Sequence, residues 1–291
     1  MSARLRGIAH ETEAIVAAGR YRRADGHEVS IERALTAALS GTRLYGPEPV
    51  PVAVLDTDRT PVFEVTGESS LQAAHRLTCG NTGKVAVLNF ASARNPGGGY
   101  LNGAQAQEEA LCRGSALYAT LLRAPEFYAY HRAERSAFYT DRVIHSPGVP
   151  VFRDDRGRLL AAPYTVGFLT SPAPNAGVIR GRTPELAHRI PAALASRAER
   201  VLEVAAVRGY RRLVLGAWEC GVFMNDPVQV AGAFRALLDD GGRFSGHFER
   251  VVFGILDRGG PDNGPRSAAR AAFARAFTER GDGAAAFQDQ P

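Results

Sequence analysis

Two adjacent glutamates, Glu108 and Glu109, are the residues of this sequence best suited to acid–base chemistry. They follow Gln107 at the start of a predicted helix, where acidic side chains stabilise the helix dipole in many proteins without any catalytic role. Catalysis requires more, because burial and a neighbouring charge must hold one carboxyl near neutral so that it can donate a proton. Taken alone, the pair is more typical of a structural helix start.

Two glycine-rich loops are candidates for binding a phosphate or a sugar. The first, NPGGG at Asn95–Gly99, lies between a predicted buried strand and the helix that carries the glutamates. The second, GAWECGVF at Gly216–Phe223, lies between another strand and a helix that begins near Asp226. Because glycine lacks a Cβ atom, backbone N–H groups in such loops can approach an anion closely. A flexible connection explains the first loop about as well, and a turn with a core aromatic residue explains the second about as well.

Cysteine and histidine patterns do not indicate a metal centre or a thiol nucleophile. The cysteines, Cys79, Cys112 and Cys220, are three in number and lack a C-x-x-C pair, which argues against a disulfide framework and a zinc site. Neither Cys112 nor Cys220 has an identifiable histidine–carboxylate pairing, and the seven histidines lack metal-binding spacing. We therefore expect chemistry that uses no metal and no cofactor.

Alternating strands and helices must position these groups. Strands are predicted at 50–56, 61–67, 84–92, 136–147, 164–172, 211–218 and 250–257. Helices are predicted at 71–77 (capped by Ser69 or Ser70), 107–122, 183–209, 226–241 and 265–280. This order predicts an α/β fold with a mainly parallel central sheet and helices on both faces. Ligands of such sheets bind at the carboxyl ends of the strands, where both glycine-rich loops lie.

Residues 1–50 differ in pattern from the rest, with the helical stretches EAIVAAG and SIERALTAAL separated by Arg-rich and Gly/Pro-rich segments. We interpret them as an accessory segment packed on a domain of residues 51–291, whose last ten residues resemble a disordered tail. The N-terminus lacks a signal-peptide core, and no stretch approaches the roughly 20 apolar residues of a membrane-spanning helix. A cytoplasmic protein without membrane contact is expected.

The sequence is basic, with 35 Lys and Arg against 30 Asp and Glu and a formal net charge of +5. Such a balance favours encounter with polyanions through long-range attraction, without identifying the polyanion. Direct nucleic-acid binding is not expected, because no predicted helix combines basic and aromatic residues in a recognisable motif.

The spacing of the glycines from the glutamates is more specific than either motif. Gly-Gly-Gly, the seven residues YLNGAQA and Gln-Glu-Glu together resemble the signature of poly(ADP-ribose) glycohydrolases. Several longer stretches are similar to bacterial members of that family: VAVLNFASARNPGGGYLNGAQAQEEALCRGSALY, HSPGVPVFRDDRGRLL, TSPAPNAG and LGAWECGVFMNDP. The resemblance implies a macrodomain-like, three-layer α/β/α fold with a mixed, mainly parallel sheet and an N-terminal helical extension.

The resemblance also implies roles for the motif residues. Glu109 is expected to be the acid–base residue that hydrolyses ribose–ribose bonds of poly(ADP-ribose), with Glu108 and Gln107 positioning it and the ribose hydroxyls. The residues expected to approach the terminal ribose and diphosphate are Asn95, Gly97, Gly98 and Gly99. Those expected to wrap the diphosphate are Gly216, Ala217, Cys220, Gly221, Val222 and Phe223, with Phe223 also beside the terminal ribose. Adenine is expected near Asp257–Asn263.

The substrate and product follow from the same resemblance. The expected substrate is poly(ADP-ribose) carried by ADP-ribosylated proteins, and the expected product is ADP-ribose, released mainly from chain ends during the DNA damage response. Two other functions stay open: a non-catalytic ADP-ribose-binding macrodomain and a mono-ADP-ribosyl hydrolase.

Two positions in the second loop depart from the family pattern. Glu219 and Met224 stand where glycine is more usual. Because a carboxylate repels a diphosphate, Glu219 must point away from the ligand, bind a cation or alter the affinity.

Overall fold

The order of strands and helices follows the alternation expected from the sequence. A computed structural model describes residues 2–53, 60–79, 83–239, 241–256 and 267–278. Its strands are β1 (Arg20–Arg22), β2 (Glu28–Ser30), β3 (Arg43–Tyr45), β4 (Val62–Thr66), β5 (Val85–Phe90), β6 (Val143–Arg153), β7 (Leu159–Ser171), β8 (Arg212–Leu215) and β9 (Arg250–Gly254). Its α-helices are α1 (Ala3–Ala18), α2 (Glu32–Gly41), α3 (Ser70–Thr78), α4 (Gln107–Gly114), α5 (Leu117–Leu121), α6 (Pro125–Ala133), α7 (Ala176–Arg182), α8 (Ile190–Val207), α9 (Pro227–Leu238) and α10 (Ala268–Phe277).

Seven of these strands form one mixed sheet in the order β3-β6-β7-β5-β8-β9-β4, and β1 and β2 form a separate hairpin. The neighbours from β7 to β4 pair in parallel, whereas β6 pairs antiparallel with both β3 and β7. The predicted α/β fold with a mixed, mainly parallel sheet is confirmed.

Helices cover both faces of this sheet, and the central strand β5 shows why. Its side chains alternate between the two faces with the period of two that a strand imposes. Val85 and Val87 enter an apolar cluster with side chains from α1 to α6. Ala86 and Leu88 enter a second cluster with side chains from α7 to α10. The expected three-layer α/β/α arrangement follows, because a strand apolar on both faces must be buried on both.

Local capping signals located several helices correctly. Ser69, rather than Ser70, caps α3, and its side chain accepts the N–H of Gln72 while the Gln72 side chain accepts the N–H of Ser69. Asp226 caps α9 through the N–H of Val228, and Pro227 occupies the first helical position. Both arrangements satisfy N–H groups that a helix start otherwise leaves unpaired.

Some predicted boundaries were wrong. The helix predicted at 107–122 is broken at Ser115, whose extended backbone bridges to Val151 and whose hydroxyl donates to the Leu111 carbonyl. Serine competes with the helix for backbone hydrogen bonds, which accounts for the break. The strand predicted at 136–147 begins only at Val143, and residues 50–53 are not a strand. Residues 54–56 lie outside the described part, and α6 and α7 were not predicted.

The first 50 residues are joined to the sheet. Strand β3 pairs antiparallel with β6 at the sheet edge, with Arg43 opposite His145. The division at residue 50 and the disordered tail stay predictions, and the tail and the adenine segment Asp257–Asn263 lie outside the described residues. None of the helices in the described ranges is long and apolar enough to cross a membrane.

Candidate active site

The two glycine-rich loops meet at one edge of the sheet. The first loop follows β5 and the second follows β8, and these strands are parallel neighbours with Val85 opposite Arg212. Parallel neighbours end at the same edge, so the loops that follow them lie side by side. Helix α4, which begins with Gln107, Glu108 and Glu109, starts at this edge.

Glu108 is held by donors from β5 and the turn after it. One carboxyl oxygen accepts the Asn89 side-chain N–H at 3.1 Å, and the other accepts the Ser92 backbone N–H at 2.8 Å. Burial raises the pKa of Glu108 to about 8. The charge of Glu109 adds to that rise, whereas donation from Ser92, Asn89 and the Gly97 N–H opposes it. Asn89 also donates to Thr170 on the neighbouring strand β7, and the sequence offered no signal for either role.

Glu109 bridges the first loop and the start of its own helix. One carboxyl oxygen accepts the Gly99 N–H at 2.9 Å, and the other accepts the Ala106 N–H at 3.0 Å. Because Ala106 has no polar side chain, only the glutamate half of a capping box is present. Each carboxyl oxygen keeps one lone pair unused, so the group is fixed in orientation while retaining a place for a proton.

Gln107 anchors the helix start to the sheet. Its amide oxygen accepts the Phe90 N–H at 3.0 Å, and its amide nitrogen donates to the Leu88 carbonyl at 2.8 Å and to the Ser70 hydroxyl at 3.1 Å. Both amide hydrogens are therefore used within the protein. Gln107 can act on a ligand only through its carbonyl oxygen or through the glutamates that it positions.

The glycines of the first loop are required by the protein itself. Gly97 and Gly98 have φ angles of 65° and 58°, in the left-handed region that favours glycine. A Cβ atom on Gly98 would lie 2.5 Å from a carboxyl oxygen of Glu109, and one on Gly97 would lie 2.9 Å from the Tyr118 ring. A side chain at either position would displace the surroundings of the glutamate.

The N–H groups of the first loop point into the protein. That of Gly98 donates to the Asn95 carbonyl at 3.0 Å and that of Gly99 to Glu109, whereas that of Gly97 is near enough to Glu108 to lower its pKa slightly. The N–H groups of Gly98 and Gly99 are thus already used within the protein, and Gly99 holds the Glu109 carboxyl. The contact of this loop with a ribose or a diphosphate stays a prediction.

The second loop uses its backbone differently. The N–H groups of Gly221, Val222 and Phe223 have no hydrogen-bond acceptor among the residues that the structure describes. Gly221 and Val222 are exposed, and a Cβ atom on Gly221 would meet nothing within 4 Å. Consecutive unpaired N–H groups next to a helix start are typical of an anion-binding loop.

Phe223 packs against Tyr139, an aromatic residue that the sequence did not indicate as part of the site. The Phe223 ring lies 6.0 Å from the ring of Tyr139, centroid to centroid. Tyr139 has a φ of 57°, which is rare for a residue with a Cβ atom. The Phe223 carbonyl also accepts the Gly177 N–H at 2.9 Å. Tyr139 falls in a segment with strand-like composition, so its strained turn left no local signal.

The positions of Trp218 and Cys220, also in the second loop, are explained by packing within the protein. Trp218 is buried in the core, and its indole N–H donates to the Ser171 carbonyl, so it is not placed to pack against a sugar or base. Burial raises the pKa of the Cys220 thiol to about 12, with smaller contributions from Asp226 and Glu219. Burial likewise raises the pKa of Cys112. Neither thiol has the lowered pKa of a nucleophilic cysteine.

The Glu219 carboxyl is near enough to both glutamates for their charges to act on it. It is half-buried, and burial followed by the charges of Glu108 and Glu109 raises the pKa of its carboxyl well above the usual value. Glu219 and Met224 both have positive φ angles, of 55° and 57°, in the left-handed region that favours glycine. Within the described ranges, no group of three His, Cys, Asp or Glu side chains has the arrangement to hold a metal ion.

Hydrogen bonds to helix α1 and to its cap residue Ser2 hold the segment that follows the first loop. The buried Tyr100, directly after the three glycines, donates from its hydroxyl to the Ala9 carbonyl at 3.2 Å and contacts the Glu13 carboxyl at 3.0 Å. The Ser2 N–H donates to the Gly103 carbonyl at 3.0 Å. Helix α1 thus fixes the turn between the glycines and the glutamates.

Comparison with known proteins identifies relatives of this site. The family model for the catalytic domain of microbial-type poly(ADP-ribose) glycohydrolase, abbreviated PARG, matches residues 9–154, a range that includes the first loop and both glutamates. No curated protein sequence matches the chain.

Several solved structures are similar over nearly the whole chain. The X-ray crystal structure of PARG from Thermomonospora curvata is 50% identical with a TM-score of 0.89, covering 95% of this chain and 100% of that one. A structure of the same enzyme bound to the inhibitor ADP-HPD has 49% identity, a TM-score of 0.85 and the same coverage. PARG from Deinococcus radiodurans in complex with ADP-ribose is 45% identical with a TM-score of 0.75, covering 84% of this chain and 97% of that one.

Proposed function

The chain belongs to the microbial-type poly(ADP-ribose) glycohydrolases, and from that premise we propose that it hydrolyses ribose–ribose bonds with Glu109 as the acid–base residue. The observation that carries the proposal is the setting of the Glu109 carboxyl. It is held by the N–H groups of Gly99 and Ala106, beside a second loop whose N–H groups are unpaired among the described residues. An oriented carboxyl next to an anion-binding loop is the combination that cleavage of a phosphorylated sugar chain requires.

The chemistry of the bond explains the need for a proton donor. The bond is an acetal between the anomeric carbon of one ribose and a hydroxyl oxygen of the next unit. Because an alkoxide is a poor leaving group, the protonated form of Glu109 donates its proton to the bridging oxygen as an oxocarbenium-like ion forms. Glu109 then takes a proton from the attacking water. Many glycosidases divide these steps between two separated carboxyls, whereas here we give both to one residue.

Glu108 is proposed as a positioning residue. Its oxygens are occupied by Asn89 and Ser92, and its side chain is almost fully buried. With a pKa of about 8, its carboxyl is mostly neutral at pH 7, which limits the repulsion between the adjacent glutamates. Gln107 contributes by anchoring the helix start to β5.

Substrate binding is proposed to fall to the second loop and to the surface of the first. The N–H groups of Gly221, Val222 and Phe223 receive the diphosphate, next to Gly216, Ala217 and Cys220 in the same loop. Asn95, whose exposed side chain has no hydrogen-bond partner among the described residues, reaches the terminal ribose together with the surface of Gly97–Gly99. These contacts orient the substrate and add no chemistry of their own.

Phe223 is proposed to favour cutting at chain ends. With Tyr139 behind it, the ring forms a wall on one side of the terminal ribose. A chain end fits inside this wall, whereas an internal unit must carry its continuing strand past it. The main product is therefore ADP-ribose, with a minority of longer fragments.

The setting of the reaction in the cell is also part of the proposal. The substrate is poly(ADP-ribose) attached to ADP-ribosylated carrier proteins, in the cytoplasm, as part of the DNA damage response. The macrodomain resemblance of the sequence supports ADP-ribose as the ligand of the same site.

Incubation with purified poly(ADP-ribose), with products resolved by length, tests this function. We expect release of ADP-ribose by the wild-type chain. Binding of ADP-ribose without any turnover of polymer would support the non-catalytic macrodomain alternative. Release of the last ADP-ribose from a mono-modified protein at a rate similar to polymer cleavage would support the mono-ADP-ribosyl hydrolase alternative.

A further inference from the structure

Glu219 occupies an unusual place in the second loop. Its backbone is in the left-handed region, with φ of 55°, although its side chain carries a Cβ atom. The Glu219 carbonyl accepts the Asn225 N–H at 3.3 Å, which closes the loop around the site. A strained residue held by its surroundings is a reason to look for a function there.

The carboxyl of Glu219 is half-buried and unpaired within the described part of the chain. None of the described residues donates a hydrogen bond to it or forms an ion pair with it. The ionisable groups whose charges act on it are Glu108 and Glu109, and Cys220 follows it on its own loop, where Asp226 lies further along. Because none of these residues supplies a compensating positive charge, the local potential is unfavourable for a bound anion.

This loop is also where the proposed function places the diphosphate. Resting on that function, we infer that Glu219 is an affinity-determining residue, whose ionised carboxylate opposes the diphosphate and weakens the hold of the site on released ADP-ribose. The N–H groups of Gly221, Val222 and Phe223 attract the same diphosphate, so the affinity is a balance between these donors and one carboxylate. Lower affinity for the product lets the site turn over while ADP-ribose accumulates.

The direction of the pH dependence follows from this charge. A bound diphosphate favours the neutral form of Glu219, so binding is tighter at low pH and is accompanied by proton uptake at high pH. Burial and the neighbouring acids raise the pKa of Glu219, which moves this change to higher pH. The pKa of Glu108 is also raised, so the effect of Glu219 must be isolated by comparing variants.

Calorimetric titration of ADP-ribose into wild type, Glu219→Gln and Glu219→Gly at pH 6 and pH 9 tests the inference. At pH 9 we expect Glu219→Gln to bind about tenfold more tightly than wild type, the effect of removing one nearby like charge. At pH 6 the difference between the two should be smaller than at pH 9. Glu219→Gly should shift in the same direction, and Glu126→Gln, which removes an exposed acid on α6, should bind like wild type.

Released ADP-ribose should also inhibit polymer hydrolysis more strongly in Glu219→Gln than in wild type. Equal affinity of wild type and Glu219→Gln at pH 9, or weaker binding by Glu219→Gln, overturns the inference and leaves the proposed function intact. A wild-type chain that neither binds ADP-ribose nor cleaves polymer overturns the proposed function instead. Glu219→Gly provides the second measurement if the Gln variant fails to fold.

Discussion

The two glycine-rich loops lie at the same edge of the sheet but use their backbones in opposite ways. In the first loop, the N–H groups of Gly98 and Gly99 are bonded within the protein, to the Asn95 carbonyl and to Glu109. In the second, the N–H groups of Gly221–Phe223 have no acceptor among the described residues.

The need for glycine differs in the same way. A Cβ atom on Gly98 would meet the Glu109 carboxyl at 2.5 Å, whereas one on Gly221 would meet nothing within 4 Å. The first loop therefore needs glycine to leave room for the Glu109 carboxyl, whereas the described residues place no such demand on Gly221. We expect changes in the first loop to act on kcat and changes in the second to act on affinity.

Replacing Glu109 is the strongest test of the expectation that changes around the first loop act on kcat. Glu109→Gln removes the transferable proton, and loss of a general acid–base residue typically lowers the rate about 10²–10⁴-fold. Affinity for ADP-ribose should stay within severalfold of wild type, because the second loop is unchanged. Single-turnover release from purified polymer measures the first quantity, and calorimetry measures the second.

The amide of Glu109→Gln can accept only one of the two N–H groups that the carboxylate accepts. Thermal unfolding should therefore accompany the assay, and Glu109→Ala provides a second variant. Hydrolysis near the wild-type rate in a folded variant would remove Glu109 from the mechanism.

Gly98→Ala disturbs the first loop without replacing any ionisable group. The added methyl displaces the Glu109 carboxyl, and a misplacement on the order of 1 Å can lower a rate about 10²-fold. An Ala residue in the left-handed region also costs about 1–2 kcal/mol of stability. We expect a large fall in kcat, a lower Tm and nearly unchanged affinity for ADP-ribose. A variant that lost affinity while keeping kcat would reverse the proposed division between the loops.

Glu108→Gln tests whether the first loop encloses a carboxyl that is neutral in the folded state. Because the pKa of Glu108 rises from 4.5 to about 8 on folding, the folded chain holds one more proton between these values. Wild type therefore loses stability as the pH rises from about 5 to about 8, by on the order of 3 kcal/mol from this group.

Urea unfolding of both proteins at pH 5 and pH 8.5 measures this loss. Glu108→Gln should be less stable than wild type at pH 5, because its amide places a donor against the N–H of Ser92 or Asn89. Its stability should depend less on pH. Identical pH dependence in both proteins would show that Glu108 is ionised in the folded state.

Gly221→Ala is the matched change in the second loop. The structure leaves room for the methyl group, so we expect an unchanged Tm. If the diphosphate lies against this backbone, the methyl group disturbs one charge-assisted hydrogen bond, worth about 1.5–3 kcal/mol, and affinity should fall about tenfold or more. Calorimetric titration of ADP-ribose into Gly221→Ala and into Gly98→Ala compares the two affinities. Unchanged affinity would mean that the anion binds elsewhere.

Phe223→Ala is expected to have the smallest effect. An aromatic contact contributes about 0.5–1.5 kcal/mol beyond area burial, so affinity for ADP-ribose should fall severalfold. Early products should shift from ADP-ribose toward oligomers, because the wall beside the terminal ribose is removed. Gel separation of the earliest products measures this shift. If wild type already releases mostly oligomers at early times, the site is open on the ribose side.

The sequence alone determined the order of the elements and the candidate residues. Strand β5 and helix α9 are marked by local signals, an apolar run and an Asp226 cap, and both were predicted close to their observed bounds. The spacing of the glycines from the glutamates was enough to indicate the family. Such features depend on short-range periodicity, caps and spacing, which a sequence displays directly.

Only the tertiary structure decided how these residues are used. Asn89 contacts Glu108 across 19 positions of the chain, and Tyr139 packs against Phe223 from a segment that the sequence presented as a strand. Which N–H groups turn inward, and which acid becomes neutral, depends on burial and on partners distant in sequence. Those partners are brought together only when neighbouring strands pair and bring their loops to one edge, so no local pattern records them.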